Sequence, residues 1–268
     1  MKKCVLFLAF LLLAPCVSAK YITISVMPLS SNFLAENLGE VNFSISNLGD
    51  EPAYDMSVGL IPPKGISSDK VYLGVVNQGA SNVVPLKFNV SDDVLPGEYY
   101  MNLMVQYADA NGYPFSMVNP MKIVYKKPVQ SRVVGSMQKV EIFGDEPKTL
   151  KLVLSSNDDV PRDVVVSVNA PNEVSVDSSV RQASIPSKGS VELEFQVSSM
   201  GALPGSRYVV YAVVDYSDQV HYSVAVRTNV EITEKKAFPV WVPVLVLVIL
   251  ILVVVYMQLN KKRGGKKK

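Results

Sequence analysis

Two stretches, Leu95-Pro96-Gly97-Glu98-Tyr99 and Leu203-Pro204-Gly205-Ser206-Arg207-Tyr208, decide how the chain is built. Proline presets φ at the second position of a turn and glycine supplies positive φ at the third, so each reads as a type II turn. Each opens an alternating run that closes on Tyr-x-Asp, at Tyr107-Ala108-Asp109 and at Tyr216-Ser217-Asp218. Alternation places Tyr99, Met101, Leu103, Val105 and Tyr107 on one face. In the second copy that face carries Tyr208, Val210, Ala212, Val214 and Tyr216. The first tyrosine of each run reads as a corner residue, with its ring in the core and its hydroxyl bonded to nearby backbone.

Working outward, the duplication continues. Ser46-Asn47 with Pro52 matches Ser156-Asn157 with Pro161, and Gly79 before Leu86 matches Gly189 before Leu193. The offset is about 108 residues, the size of one immunoglobulin-like domain. Other period-two runs bury one face and wet the other: Val41, Phe43, Ile45; Leu86, Phe88, Val90; Leu150, Leu152, Leu154; Val191, Leu193, Phe195, Val197. Turn residues punctuate them every eight to twelve residues or so, the rhythm of an antiparallel sandwich, and no amphipathic helix interrupts them. The expected fold is all-β, two tandem immunoglobulin-like β-sandwiches over 20–127 and 128–234, plus one C-terminal transmembrane α-helix.

The two ends differ from this middle. Met1-Lys2-Lys3, an apolar run from Val5 to Ala14 and Val17-Ser18-Ala19 read as a secretory signal peptide over 1–19, cleaved between Ala19 and Lys20. Leu13-Ala14-Pro15-Cys16 offers a rival lipoprotein reading, which the proline before the cysteine fits badly. From Phe238 to Leu259 no residue is charged. Such a stretch, at 1.5 Å per residue, reaches roughly 33 Å and can cross a bilayer. Trp241 and Tyr256 stand near its ends, where amphipathic rings favour the interface. Lys261, Lys262 and Arg263 follow as membrane-stop charges and hold the tail, 260–268, in the cytoplasm. The expected location is the cell membrane, single-pass, with the N-terminal bulk extracellular.

Composition narrows the function. Of 26 Lys and Arg, two lie at Lys2-Lys3 and six between Lys261 and Lys268. The remaining 18 face 24 acids, a net of −6 beneath a formal +2, so a nucleic-acid partner is not expected. Both cysteines, Cys4 and Cys16, fall in the signal segment, which leaves no thiol for a disulfide, a zinc site or a nucleophile. His221 is the sole histidine, sits in a strand beside Tyr222 and has no catalytic motif around it. No catalytic residue, metal or cofactor is expected. The acidic turns Asp92-Asp93, Asp109, Asn157-Asp158-Asp159 and Asp215 with Asp218 are the candidates for calcium. Their spacing matches no calcium loop, and Asp and Asn favour turns for local reasons.

The run Phe43-Ser-Ile-Ser-Asn-Leu-Gly-Asp-Glu-Pro-Ala-Tyr-Asp55, with Leu95-Pro-Gly-Glu-Tyr99 and Tyr107-Ala-Asp-Ala-Asn-Gly112, resembles archaeal S-layer-related surface proteins. These are similar to the cell-adhesion-related (CARDB-type) and NPCBM-associated immunoglobulin-like modules. The resemblance spans both copies and is looser in the second, where Asn157-Asp158-Asp159 lacks the glycine. It implies a surface adhesion or scaffold module and carries over no active site.

Three surface features remain. Asn42-Phe43-Ser44 and Asn89-Val90-Ser91 are glycosylation acceptors on the polar faces of strands. Val209, Tyr211 and Val213 are apolar although they alternate with the core face, whereas their first-copy counterparts include Asn102 and Gln106. A strand apolar on both faces marks a contact surface, for a membrane-protein partner or the other domain. The linker Tyr125-Lys126-Lys127-Pro128-Val129-Gln130 is short, and so is Thr233 to Ala237. The expected arrangement is a stalk: the second domain on the membrane and the first some 40–80 Å out, if each sandwich is about 35 Å long. The expected function is a non-enzymatic, membrane-anchored surface protein for adhesion, scaffolding or envelope interaction with a protein or glycan partner. The alternative is an extracytoplasmic accessory subunit of a membrane transporter or glycan-assembly complex.

Overall fold

A computed structural model describes residues 21–30 and 32–233. The expected signal segment with Ala19 and Lys20, the apolar stretch 238–259 and the charges Lys261, Lys262 and Arg263 lie outside the described residues. Among the described residues the chain is all-β, and no helix there is long and apolar enough to cross a membrane.

The first half contains β1 (Ile24–Pro28), β2 (Phe33–Leu34), β3 (Leu38–Asn47), β4 (Ala53–Ile61), β5 (Ile66–Ser68), β6 (Val71–Val76), β7 (Ser81–Val90), β8 (Gly97–Ala108) and β9 (Pro114–Tyr125). The second half repeats them as β10 (Val133–Met137), β11 (Val140–Phe143), β12 (Lys148–Ser156), β13 (Arg162–Asn169), β14 (Val174–Val176), β15 (Val180–Ile185), β16 (Ser190–Ser199), β17 (Arg207–Ser217) and β18 (His221–Thr233). In each half a four-stranded sheet, β1-β3-β7-β5 or β10-β12-β16-β14, faces a second sheet. Between the faces lie two separate cores, one built on Val41, Phe43, Ile45, Leu86 and Leu103, the other on Leu150, Leu152, Leu154, Phe195 and Val210.

The copies pair in the same register. Ile24 opposes Asn47 as Val133 opposes Ser156, and Ser46 opposes Ser81 as Ser155 opposes Ser190. Asn47 therefore corresponds to Ser156 and not, as the sequence match suggests, to Asn157. The difference has a local cause. Asn47 is fully buried, and its amide donates to the carbonyls of Glu51 (2.7 Å) and Val76 (3.2 Å) while its oxygen accepts Gly49 N–H (3.0 Å). In the second copy Ser156 holds only Asp158 N–H (3.2 Å), and the ion pair of Arg162 with Asp158 (2.6 Å) stiffens that turn instead.

Pro85 lies within β7 opposite Asn42. A proline cannot donate to a ladder, but β5 covers β7 only at Phe88 to Val90, so Pro85 sits on an open edge and blunts it. Of the two glycosylation acceptors, Asn89 is exposed and Asn42 is half-buried. Asn42 N–H donates to Ser30 Oγ (2.9 Å).

The second sheets of the two halves do not end independently. They join into one sheet, β15-β13-β17-β18-β8-β4-β6, through a parallel contact in which His221 opposes Gly97.

Candidate functional site at the seam between the sandwiches

The Pro-Gly motif behaves differently in its two copies. Pro204-Gly205 makes the expected type II turn: Gly205 has φ +84° and Ser206 N–H donates to Leu203 carbonyl (3.1 Å). Gly97 has φ +152°, and no such bond closes its turn. Instead His221 N–H donates to Pro96 carbonyl (2.9 Å). A Cβ on Gly97 would stand 2.0 Å from His221 carbonyl oxygen, so glycine here serves the approach of another backbone. The expected type II turn at Leu95-Pro96-Gly97 is therefore replaced by an inter-sandwich contact. Tyr99 remains a corner residue, with its hydroxyl donating to Leu95 carbonyl (2.6 Å).

Around this contact the side chains close a seam. His221 stacks on Tyr99 with centroids 3.9 Å apart and planes 5° from parallel. Its Nδ1–H donates to Glu98 carbonyl (2.8 Å), which directs Nε2 toward Asp215 Oδ1 at 3.7 Å. Tyr100 N–H donates to Ser223 Oγ (3.1 Å). Val213, only 3% exposed, lines a small cavity with Ile61, Pro62, Tyr100 and Asn102. Asn102 is a correction to simple polarity reading: though polar, it is buried, because a neighbouring sandwich covers the face that its own core does not. Tyr211 and Val209 continue the same strand face and are half-buried.

A second cluster lies further along. Glu173 is buried, and its Oε1 and Oε2 accept Ser116 N–H and O–H, both at 2.6 Å. Asn172 N–H donates to Ser116 Oγ (2.7 Å), and the Tyr113 hydroxyl donates to Gly201 carbonyl. Beside them a cleft of about 530 Å³ opens between the sandwiches, lined by Asp55, Tyr107, Tyr113, Phe115 and Met200. Burial, with Glu173 and Tyr208 nearby, pushes the Tyr107 hydroxyl up to about 12.

These contacts fix the arrangement. Gly97 and Tyr125, where the first sandwich ends, meet the β17–β18 hairpin. The opposite tip, Asp109 to Tyr113, reaches the loop Met200 to Leu203. That loop belongs to the end of the second sandwich from which the chain leaves, since Gly205 N–H donates to Ile232 carbonyl (2.7 Å). The sandwiches therefore stand side by side, and the expected end-to-end stalk does not form. The short linker 125–130 reverses beside Lys126, whose φ is +58°.

The acidic turns are occupied locally. Asp109 Oδ1 accepts the N–H groups of Asn111 and Tyr113 (both 2.8 Å), and Asp218 pairs with Arg162 (3.2 Å). Backbone N–H groups and Arg162 hold the Asp218 carboxyl below its ordinary range. Among the described residues no group of three or more His, Asp or Glu side chains converges on a metal position. His221 has its Nδ1 and one ring face committed to the seam.

Asp215 gives the seam a pH dependence. Burial raises its pKa, opposed by the Ser223 hydrogen bond and the His221 ring, and Oδ1 has no hydrogen-bond partner. A raised folded-state pKa means that the closed seam binds a proton more tightly than the unfolded chain. Its stability is thus fully present below the ordinary carboxyl value near 3.9 and falls as pH climbs through the raised value. Asp215→Asn is expected to remove this loss, read as a flatter dependence of melting temperature on pH than in the parent protein.

No family model matches the chain, and no curated protein matches it. Among solved structures it is similar to a Salmonella alpha-2-macroglobulin at 10% identity and TM-score 0.34, covering 79% of this chain and 16% of that one. A red sea bream transglutaminase is 11% identical with TM-score 0.30, covering 80% of this chain and 31% of that one. A Porphyromonas gingivalis protein of unknown function is 13% identical with TM-score 0.28, covering 77% and 98%. The chain thus spans less than a third of the alpha-2-macroglobulin and transglutaminase chains.

Proposed function

We propose that this is a non-enzymatic, membrane-anchored surface protein that presents two immunoglobulin-like sandwiches as one rigid unit for adhesion, scaffolding or envelope interaction. The immunoglobulin reading draws support from the strand order β1-β3-β7-β5 against β4-β8-β9, with β2 crossing to pair in parallel with β9, and from the Tyr99 corner. The observation that carries the proposal is the seam: its buried hydrogen bonds hold the pair at a fixed angle, as a presenting surface needs. The protein would act through loops and sheet edges toward a protein or glycan partner.

The side-by-side packing favours one further reading, an accessory subunit of a membrane complex. Such a unit is about one sandwich tall, so both sandwiches would lie near the bilayer, within reach of the outer loops of a membrane protein. Protease added to intact cells is expected to remove nearly the whole chain and spare a lysine-rich stub. A chain untouched in sealed cells would contradict the anchored topology. Cross-linking in native membranes separates the two readings: multi-span proteins support the accessory subunit, and envelope polymers support the scaffold. Asn89, the more exposed acceptor, is expected to carry any glycan, seen as a mass shift on its peptide.

A further inference from the structure

The two copies of one loop differ in a way that the fold does not require. In the first sandwich it reads Ser91-Asp92-Asp93-Val94-Leu95-Pro96, and in the second Ser199-Met200-Gly201-Ala202-Leu203-Pro204. Position for position, Asp92 and Asp93 are replaced by Met200 and Gly201. The acidic copy lies beside Gly97, at the end where the sandwich meets the β17–β18 hairpin. The uncharged copy lies at the opposite end, beside Ile232, where the described chain leaves at Thr233. Met200 is 67% exposed and Leu203 42% exposed there. Phe143, 39% exposed, pairs with Thr233 itself, and Tyr21 and Leu203 line one groove at the same end.

From Thr233 to Phe238, the first residue of the uncharged apolar stretch, is five peptide steps, which span at most about 18 Å when fully extended. On the anchored reading above, on which this inference rests, the headgroup layer lies within that reach, because it adds only about 5–8 Å to each side of the hydrocarbon core. We infer that the loop Met200 to Leu203, with Phe143, is an interfacial contact that seats the second sandwich on the lipid surface. Tyr113, whose hydroxyl is bonded to Gly201 carbonyl, and Tyr21 add amphipathic rings from the first sandwich. Glu51 and Asp109 line the same groove as Leu203 while Lys148 Nζ stands 5.9 Å over the Phe143 ring, so the contact carries both signs of charge and its apolar side chains match a zwitterionic bilayer.

With Cys4 and Cys16 changed to Ser, Met200→Cys and, as an internal control, Asp92→Cys each introduce a single labelling site. The full chain in phosphatidylcholine nanodiscs, carrying an environment-sensitive nitrobenzoxadiazole at either position, is probed with headgroup-level spin-labelled lipid. The probe at 200 is expected to emit further to the blue and to lose several-fold more emission than the probe at 92. Equal, weak quenching at both positions in a chain that enters the discs overturns the lipid contact alone. A blue shift at 200 without lipid quenching also overturns it, since protein would then cover the loop. A chain that fails to enter the discs overturns the anchored reading itself.

Discussion

Gly97→Ala is expected to separate the two sandwiches while leaving each folded. The new Cβ would meet His221 carbonyl oxygen at 2.0 Å, where ordinary contact needs roughly 3.5 Å. One backbone must retreat by about 1 Å or more, and neither is free to do so. Gly97 is tied to Tyr125 across β8–β9, and His221 to Ser217 across β17–β18. The His221–Pro96 hydrogen bond and the ring stack on Tyr99 are then lost together. Gly205→Ala is the matched control, because its Cβ would meet nothing within 4 Å and costs only the strain of positive φ, about 1–2 kcal/mol. Amide exchange at His221 should rise by orders of magnitude in the first variant and stay slow in the second. Equal protection in both would mean that the contact is dispensable.

Glu173→Ala is expected to have the largest cost of any single side-chain truncation at the seam. It removes the acceptor of two hydrogen bonds and strands the buried Ser116 N–H, a loss of about 2–4 kcal/mol. Glu173→Gln keeps one oxygen for that N–H, and Ser116 Oγ can turn to accept the new amide, so it should cost about 1 kcal/mol. The form of the loss is as informative as its size. With the latch intact, the sandwiches should unfold in one calorimetric transition, and Glu173→Ala should resolve two. A single unshifted transition in Glu173→Ala would show that the latch couples nothing.

How much of this was legible in the sequence follows from what alternation reports. Val41, Phe43 and Ile45 are apolar at period two, and all three are buried, as are Leu150, Leu152 and Leu154. The tandem Pro-Gly turn, with a tyrosine two residues on in the first copy and three in the second, marks β8 and β17 and the Tyr99 corner. Period two identifies the face turned from its own core but not what covers it. Asn102, polar on that face, is buried where the second sandwich covers it. Val213 is apolar on the face turned from its own core, and it lines the small cavity with Ile61 and Tyr100. His221, Ser116 and Glu173 carried no comparable signal. Each is an ordinary strand or turn residue until a partner some 57 to 123 residues away is brought beside it. The same blindness explains the stalk expectation, since linker length limits separation but does not set direction.

The claim on which the rest depends is that the sandwiches stand side by side. Spin labels on Asn111→Cys and Leu203→Cys, in a chain whose Cys4 and Cys16 are changed to Ser, measure it by pulsed dipolar spectroscopy. Tyr113 touches Gly201, and Asp109 and Leu203 line one groove, so the account predicts a single narrow distance below about 25 Å, label arms included. An end-to-end arrangement would put two sandwich lengths, about 70 Å, between the labels, and a broad distribution near that value would contradict it.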